Sequence, residues 1–220
     1  MDGITDKTVE DYLYGILPQR DQVLLEIEQQ AKQRDIPIVG PAVGRLLYQL
    51  GRMINAKTVF EMGSAVGYST IWWARAVGEG GRVVYTDGDP KNAAEAKKYF
   101  ARAGVADRVD VRVGDALEIL SEQKKASYDV IFNDVDKQDY PRVFRLVPDR
   151  LRKGGLFITD NVLWSGRVAR AASGQNGSDP ELSTPATKGI VEFNRLLYAS
   201  KDFFTTMLPL RDGVAVSLRV

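Results

Sequence analysis

Two short acidic segments carry the chemistry of this chain. Asp134-Val135-Asp136-Lys137 follows the apolar run YDVIFN, and Asp160-Asn161 follows GGLFIT. Each run reads as a buried strand. The acids therefore fall where strands leave a sheet, the edge at which open α/β folds bind ligands. The chain contains no His and no Cys. A metal here must be held by oxygen, and a general base must be Lys, Tyr, Asp or Glu. Either Asp134 or Asp160, taken alone, could simply cap the turn after its strand.

A second series of residues suits a nucleoside. Glu61-Met62-Gly63-Ser64-Ala65-Val66-Gly67-Tyr68-Ser69 makes a strand-to-helix turn. Glycine lets the backbone approach a ligand there, and the helix that follows presents free N–H groups. The dinucleotide pattern Gly-x-Gly-x-x-Gly is absent, which disfavours a nicotinamide oxidoreductase. Glu61 ahead of Gly63 suits an amine-bearing ligand better than a pyrophosphate. Asp87, about 20 residues on, matches the acid that accepts hydrogen bonds from ribose hydroxyls. Gly114-Asp115-Ala116 ends the next strand and would border an adenine. In series these favour a nucleoside with a charged amino-acid tail, the form of S-adenosylmethionine.

The elements that must position these groups follow from periodicity. Residues 5–54 read as helical, with apolar spacing of 3–4 over 22–32 and 42–54. From Lys57 onward strand and helix alternate. Strands are expected at 58–62, 82–87, 109–113, 129–133 and 156–159, which predicts a parallel sheet with helices on both faces. Between the last two, Tyr140, Val143, Phe144, Val147 and Leu151 mark a helix ending at Lys153-Gly154-Gly155. Its Arg142, Arg145, Arg150 and Arg152 read as a solvated face. Runs at 203–210 and 214–220 flank Arg211-Asp212-Gly213, a hairpin signal. The fold class is thus α/β: a Rossmann-like, seven-stranded, mostly parallel sheet closed by a C-terminal antiparallel hairpin. The 220 residues are read as one domain, a helical cap at 1–54 on an α/β core at 55–220. Residues 169–185, rich in Gly, Ser, Pro and Ala, read as a long loop, either a lid or a linker.

Composition excludes more than it assigns. Lys plus Arg is 30 against Asp plus Glu 29, and no basic stripe emerges, which argues against a nucleic-acid partner without excluding a local patch. The N-terminus lacks the pattern of a signal peptide, and no window is long and apolar enough to span a membrane. A cytoplasmic protein is expected. Trp72 and Trp73 read as core; Tyr68 either packs or lines the cofactor pocket.

From about Ile36 onward the chain resembles the cation-dependent class I O-methyltransferases, the group of plant caffeoyl-CoA and animal catechol O-methyltransferases and their bacterial relatives. The resemblance rests on EMGSAVGYST, VVYTDGDP, VGDAL, NDVDKQDY, TDNVLWSGRV and LPLRDGVAV. It implies that Glu61, Gly63 and Ser69 contact the methionine end of S-adenosylmethionine, with Val39 and Gly40 nearby. It implies Asp87 on the ribose, Asp115 and Ala116 beside the adenine, and Asp134 bordering the cofactor. Asp134, Asp160 and Asn161 correspond to the ligands of Mg2+, or of Mn2+ or Ca2+. Lys137 corresponds to the base that deprotonates the acceptor hydroxyl, and Trp164 to an aromatic residue flanking the acceptor ring. Beside a divalent cation Lys137 should have its pKa pulled down. Asp136, pointing away from Asp134, is expected to be an N-cap or a salt-bridge partner.

The function expected is methyl transfer to a catechol-like phenolic small molecule. A methylase of tRNA 5-hydroxyuridine is the alternative, and a non-catalytic cofactor-binding protein is a second. The N-terminal helices are expected to cap the acceptor side or to form a homodimer contact. Acceptor selectivity is expected in residues 169–185, which match no strong family pattern.

Overall fold

The computed structural model describes residues 4–174 and 179–220. Three helices come first: α1 (Lys7–Gly15), α2 (Gln22–Arg34) and α3 (Gly40–Met53). Asp21 starts α2 by accepting from the N–H groups of Val23 and Leu24. Leu24, Ile27 and Ala31 then form its buried face. Helix α1 buries none of its residues.

Alternation follows as the sequence predicts. The next elements are β1 (Thr58–Met62), α4 (Tyr68–Val77), β2 (Arg82–Asp87), α5 (Pro90–Arg102), β3 (Val109–Val113) and α6 (Ala116–Ser121). After these come β4 (Tyr128–Asn133), α7 (Tyr140–Arg150), β5 (Leu151–Thr159), α8 (Arg167–Ala172), α9 (Pro185–Ala199), β6 (Phe203–Leu208) and β7 (Val214–Arg219). The sheet order is β3-β2-β1-β4-β5-β7-β6. The first five strands run parallel; β7 pairs antiparallel with β5 and with β6. This is the Rossmann-like sheet expected, and its order reverses between β1 and β4, where ligands bind in such folds.

Strict alternation places the core on both faces. Val59, Val130, Phe132, Leu156 and Ile158 pack with α2–α5, while Phe60, Ile131 and Phe157 pack with α6, α7 and α9. Trp72 and Trp73 lie in the first layer. Tyr68 does too, donating its hydroxyl to Glu28 at 2.7 Å, so its role is packing. No helix among the described residues is long and apolar enough to cross a membrane.

Three local expectations need correction. Leu151 does not continue the helix face of α7; it opens β5 and pairs with Tyr128. Pro148 in the last turn of α7 has no N–H to donate and helps end the helix there. As a result Arg152 belongs to β5 and pairs with Asp129, and Arg150 tucks its guanidinium under the Leu120 and Ser121 carbonyls. Only Arg142 and Arg145 remain on the solvated face. Residues 169–185 are not one open loop. Ala169–Ala172 completes α8, as an alanine-rich segment readily does. Residues Pro180–Ser183 form a 3₁₀ turn tied back by the Arg167–Glu181 ion pair at 2.7 Å. Residues 175–178 of that stretch lie outside the described residues.

Candidate active site

At the C-terminal ends of β1, β2 and β3 a cavity of about 620 Å³ opens. Of the residues expected to hold the cofactor, Gly63, Asp87, Asp115, Ala116 and Asp134 line it. Asp87 is aimed by three donors: the N–H groups of Ala65 and Asp89 at 2.9 and 2.8 Å, and the Asn92 amide at 3.1 Å. Asp115 caps α6 with one carboxylate oxygen, accepting from the Leu117 and Glu118 N–H groups. Gly63 has φ +78°, and a Cβ there would stand 2.5 Å from the Asp134 carbonyl oxygen. Only glycine lets the ends of β1 and β4 approach this closely.

Glu61 and Ser69 stand behind that wall rather than on it. Glu61 is fully buried, and its Oε2 accepts from the Thr70 hydroxyl. Burial pushes its carboxyl up to about 7; the nearby Ser69, Thr70 and Ser64 hydroxyls oppose the shift, and the Asp134 charge adds to it. Its Oε1 has no hydrogen-bond partner. An orphaned, buried carboxylate oxygen fits an ammonium, the group at the amino-acid end of S-adenosylmethionine. Val39 is buried in the core at the start of α3, and neither it nor Gly40 lines this cavity. The preceding residues Ile36 and Pro37 do.

A second cavity of about 510 Å³ adjoins the first. Asp134, Asp136 and Lys137 line both. Asp160, Asn161, Trp164 and Arg211 line the second alone. Lys137 is held here by Gly189 of α9, whose missing Cβ would meet the Lys137 carbonyl oxygen at 2.6 Å. Tyr140, which begins α7, is anchored edge-on against Phe193 and donates its hydroxyl to the Asp160 carbonyl at 2.9 Å. The Lys137 ammonium lies over the Tyr140 ring and 2.7 Å from Asp134 Oδ1. Burial works against that ammonium, but the Asp134 carboxylate outweighs it and holds Lys137 above the ordinary lysine range. With Asp134 as its partner, Lys137 is therefore a protonated amine, opposite to the direction a neighbouring cation would impose.

Asp160 is 1% exposed, and its Oδ1 lacks a partner. Burial, and then the Asp134 charge, push its carboxyl up to about 7. Two neighbouring carboxylates with an orphaned oxygen are what a bound cation would relieve. Among the described residues no three of His, Cys, Asp and Glu come together as metal ligands. A cation held here needs the Asn161 amide oxygen as a third ligand. Asn161 has φ +59°, and its Nδ2 points to Asp212 Oδ2 at 3.5 Å, which leaves the oxygen for the cavity. Two carboxylates and an amide oxygen suit a hard divalent cation. The residues present fit the group. Asp136 sits at the N-cap position of the 3₁₀ turn Lys137–Asp139 but makes no cap hydrogen bond, and it faces both cavities.

Three contributors escaped the sequence reading. Asp212, fully buried, accepts from the Ser165 N–H and hydroxyl at 3.0 Å, and its carbonyl accepts from the N–H groups of Leu163 and Trp164. It thereby sets the turn that carries Asn161 and Trp164. Arg211 lines the second cavity. Tyr14 of α1 lies within the electrostatic reach of Arg211, Asp160 and Asp212. Only Asp212-Gly213 carried a signal, and it read as a turn.

Comparison with known proteins decides the family. The model of the O-methyltransferase family matches residues 19–220. The chain belongs to the O-methyltransferase family. A catechol O-methyltransferase of Niastella koreensis is 33% identical over 96% of both chains. The structure of the Bacillus cereus O-methyltransferase in complex with SAH superposes with a TM-score of 0.83 at 32% identity, covering 97% of each chain. The O-methyltransferase TomG of Streptomyces achromogenes, in complex with SAM, gives 0.83 at 30% identity over 97% and 96% of the two chains. The reaction class is S-adenosylmethionine-dependent O-methyl transfer.

Proposed function

We propose that this O-methyltransferase is divalent-cation-dependent and acts on a vicinal-dihydroxy, catechol-like phenol. The observation that carries the reading is the wall shared by the two cavities. Asp134 and Lys137 line both, so a donor in one and an acceptor in the other meet at these side chains. S-adenosylmethionine supplies the methyl group. A divalent cation held by Asp134, Asp160 and Asn161 supplies Lewis acidity that lowers the pKa of a hydroxyl. The rest is done by the chain. Asp87 holds the ribose end of the donor while Glu61, from behind the cavity wall, attracts its ammonium end. Trp164 offers a ring to an aromatic acceptor while Arg167 stacks on it 4.2 Å from the centroid. Once Asp134 is committed elsewhere, Lys137 Nζ gives up its proton to solvent and, as a neutral amine, takes the acceptor proton. Positioning is the main catalytic contribution of such a site.

The tRNA alternative receives one supporting feature. Arg45, Arg52, Arg75 and Arg108 line a groove of about 940 Å³ between α3 and α4. That groove shares no lining residue with the acceptor-side cavity, which favours the small-molecule reading. The test is a methyl-transfer screen over catechols, monophenols and hypomodified tRNA, with Mg2+ or with EDTA, and product positions assigned. Transfer to catechols that EDTA abolishes is the expected result. Transfer that survives chelation, or that proceeds equally on monophenols, would remove the metal from the reading.

A further inference from the structure

Arg211 occupies an unusual place for its residue type. It lies in the β6–β7 connection with φ +53°, a conformation that residues with a Cβ rarely adopt. Its side chain is 15% exposed and faces the acceptor-side cavity. A guanidinium carries five N–H donors. Among the described residues none of them donates to a protein acceptor, and the single ion pair is to Asp160 Oδ2 at 4.0 Å, beyond hydrogen-bond reach.

The neighbouring acids are committed elsewhere. Asp212 accepts at both oxygens, from Ser165 at one and Asn161 at the other. Asp160 belongs to the proposed cation shell. Tyr14 contributes a hydroxyl whose pKa is raised, chiefly by burial. A planar cation held in a left-handed turn, mostly screened from bulk water and lining the cavity, is matched by a planar anion that accepts two parallel hydrogen bonds.

We infer that Arg211 is a specificity-determining residue that selects acceptors bearing a carboxylate, so that the favoured substrate class is a free dihydroxybenzoic or similar phenolic acid rather than a neutral catechol or an ester. This rests on the catechol reading above, since the two hydroxyls must lie in the same cavity. The hairpin loop, rather than residues 169–185, then supplies a main element of acceptor selectivity.

The experiment uses matched pairs: 2,3- and 3,4-dihydroxybenzoate and their methyl esters, with wild type, Arg211→Gln, Arg211→Lys and Arg211→Gly. Arg211→Gly suits the backbone angle, so it preserves the loop; melting curves check that all variants fold. Wild type should use at least one acid about 10- to 100-fold better than its ester in kcat/KM. Arg211→Gln and Arg211→Gly should lose that advantage, falling several-fold further on the acids than on the esters, with Arg211→Lys between them. Equilibrium binding of the same acid to the cation-free protein, followed by Trp fluorescence, should weaken by about tenfold or more in Arg211→Gln. Equal use of acid and ester by wild type, or equal losses on both in Arg211→Gln, overturns the assignment and leaves catechol methylation standing. No transfer to any of the four compounds overturns both.

Discussion

Lys137 cannot act as a base while Asp134 holds its ammonium at 2.7 Å. Its proton becomes available to exchange only when that carboxylate is engaged by something else, so the proposed reaction couples acceptor activation to cation binding. Lys137→Met should lower kcat by about 10²- to 10⁴-fold, the range for losing a general base. Cofactor affinity, which the proposal assigns to Glu61 and Asp87, should change little; single-turnover kinetics and titration calorimetry separate the two. Glu61 makes the second residue-scale prediction. Its folded carboxyl titrates near 7 against 4.5 for the ordinary group. The folded protein therefore holds the extra proton between these values, and this contribution to stability falls as pH rises from about 4.5 to 7. In the proposed site the ionised form above 7 is the one that attracts the donor's ammonium. Affinity for S-adenosylmethionine should rise between pH 6 and pH 8, and Glu61→Gln should abolish that rise. It should also weaken binding by about 10- to 150-fold at pH 8, the scale of a hydrogen bond to a charged group.

Strand ends and turns set where these residues stand, and here the sequence was legible to different depths. The ends of β1, β2, β3 and β4 could be read directly, because each follows an apolar run whose alternation is local. The turn after β5 could not. Its geometry depends on Asp212, which lies 51 residues from Asn161 and shows in sequence only as half of an Asp-Gly pair. Asp212→Ala keeps the carbonyl that accepts from Leu163 and Trp164 but should leave the Ser165 N–H and hydroxyl without their acceptor and free the Asn161 amide to rotate. Supporting partners of this kind are worth about 10- to 100-fold in metal affinity. Mg2+ titration of activity, alongside a Mg2+-dependent melting shift, would measure that loss, and an unchanged Mg2+ midpoint would refute it. At the end of β1 the constraint is steric. Gly63→Ala puts a Cβ 2.5 Å from the Asp134 carbonyl and forces a φ of +78° on alanine. We expect a loss of about 1–3 kcal/mol from overpacking alone, read as roughly 2–4 °C of Tm per kcal/mol in a chain of this size. Activity should fall further than stability, because the displaced carbonyl belongs to Asp134.

The helical cap and the sheet are joined at the site itself. Residues Ile36 and Pro37, between α2 and α3, wall the cofactor cavity, and Pro37 and Ile38 wall the acceptor side. The division at residue 54 thus separates elements but not the active site. Periodicity showed the cap helices because their apolar spacing is internal. It could not show what they cover, since Tyr14 and Arg211 meet only through the fold. The same limit hid α8, where composition suggested a loop and the Arg167–Glu181 pair closes a compact turn. Helix α1 illustrates the consequence for the whole molecule. None of its residues is buried, and Val9, Tyr12, Leu13 and Ile16 are all exposed. The segment leading into it is tied to the body by the Ile4 N–H bond to the Arg211 carbonyl at 3.2 Å, and its half-buried Tyr14 lies within the field of Arg211, Asp160 and Asp212. Both lie on the acceptor side. Removing residues 1–16 should therefore cost little global stability, because little apolar area returns to water. A change in Tm of more than about 4 °C, or over 1 kcal/mol in a chain this long, would show that α1 packs more firmly than its exposure implies. Acceptor KM should rise while cofactor affinity holds, because the cofactor cavity draws its N-terminal wall from residues 35–37, which the truncation keeps. A parallel rise in the S-adenosylmethionine Kd would place α1 in the support of both cavities instead of over the acceptor alone.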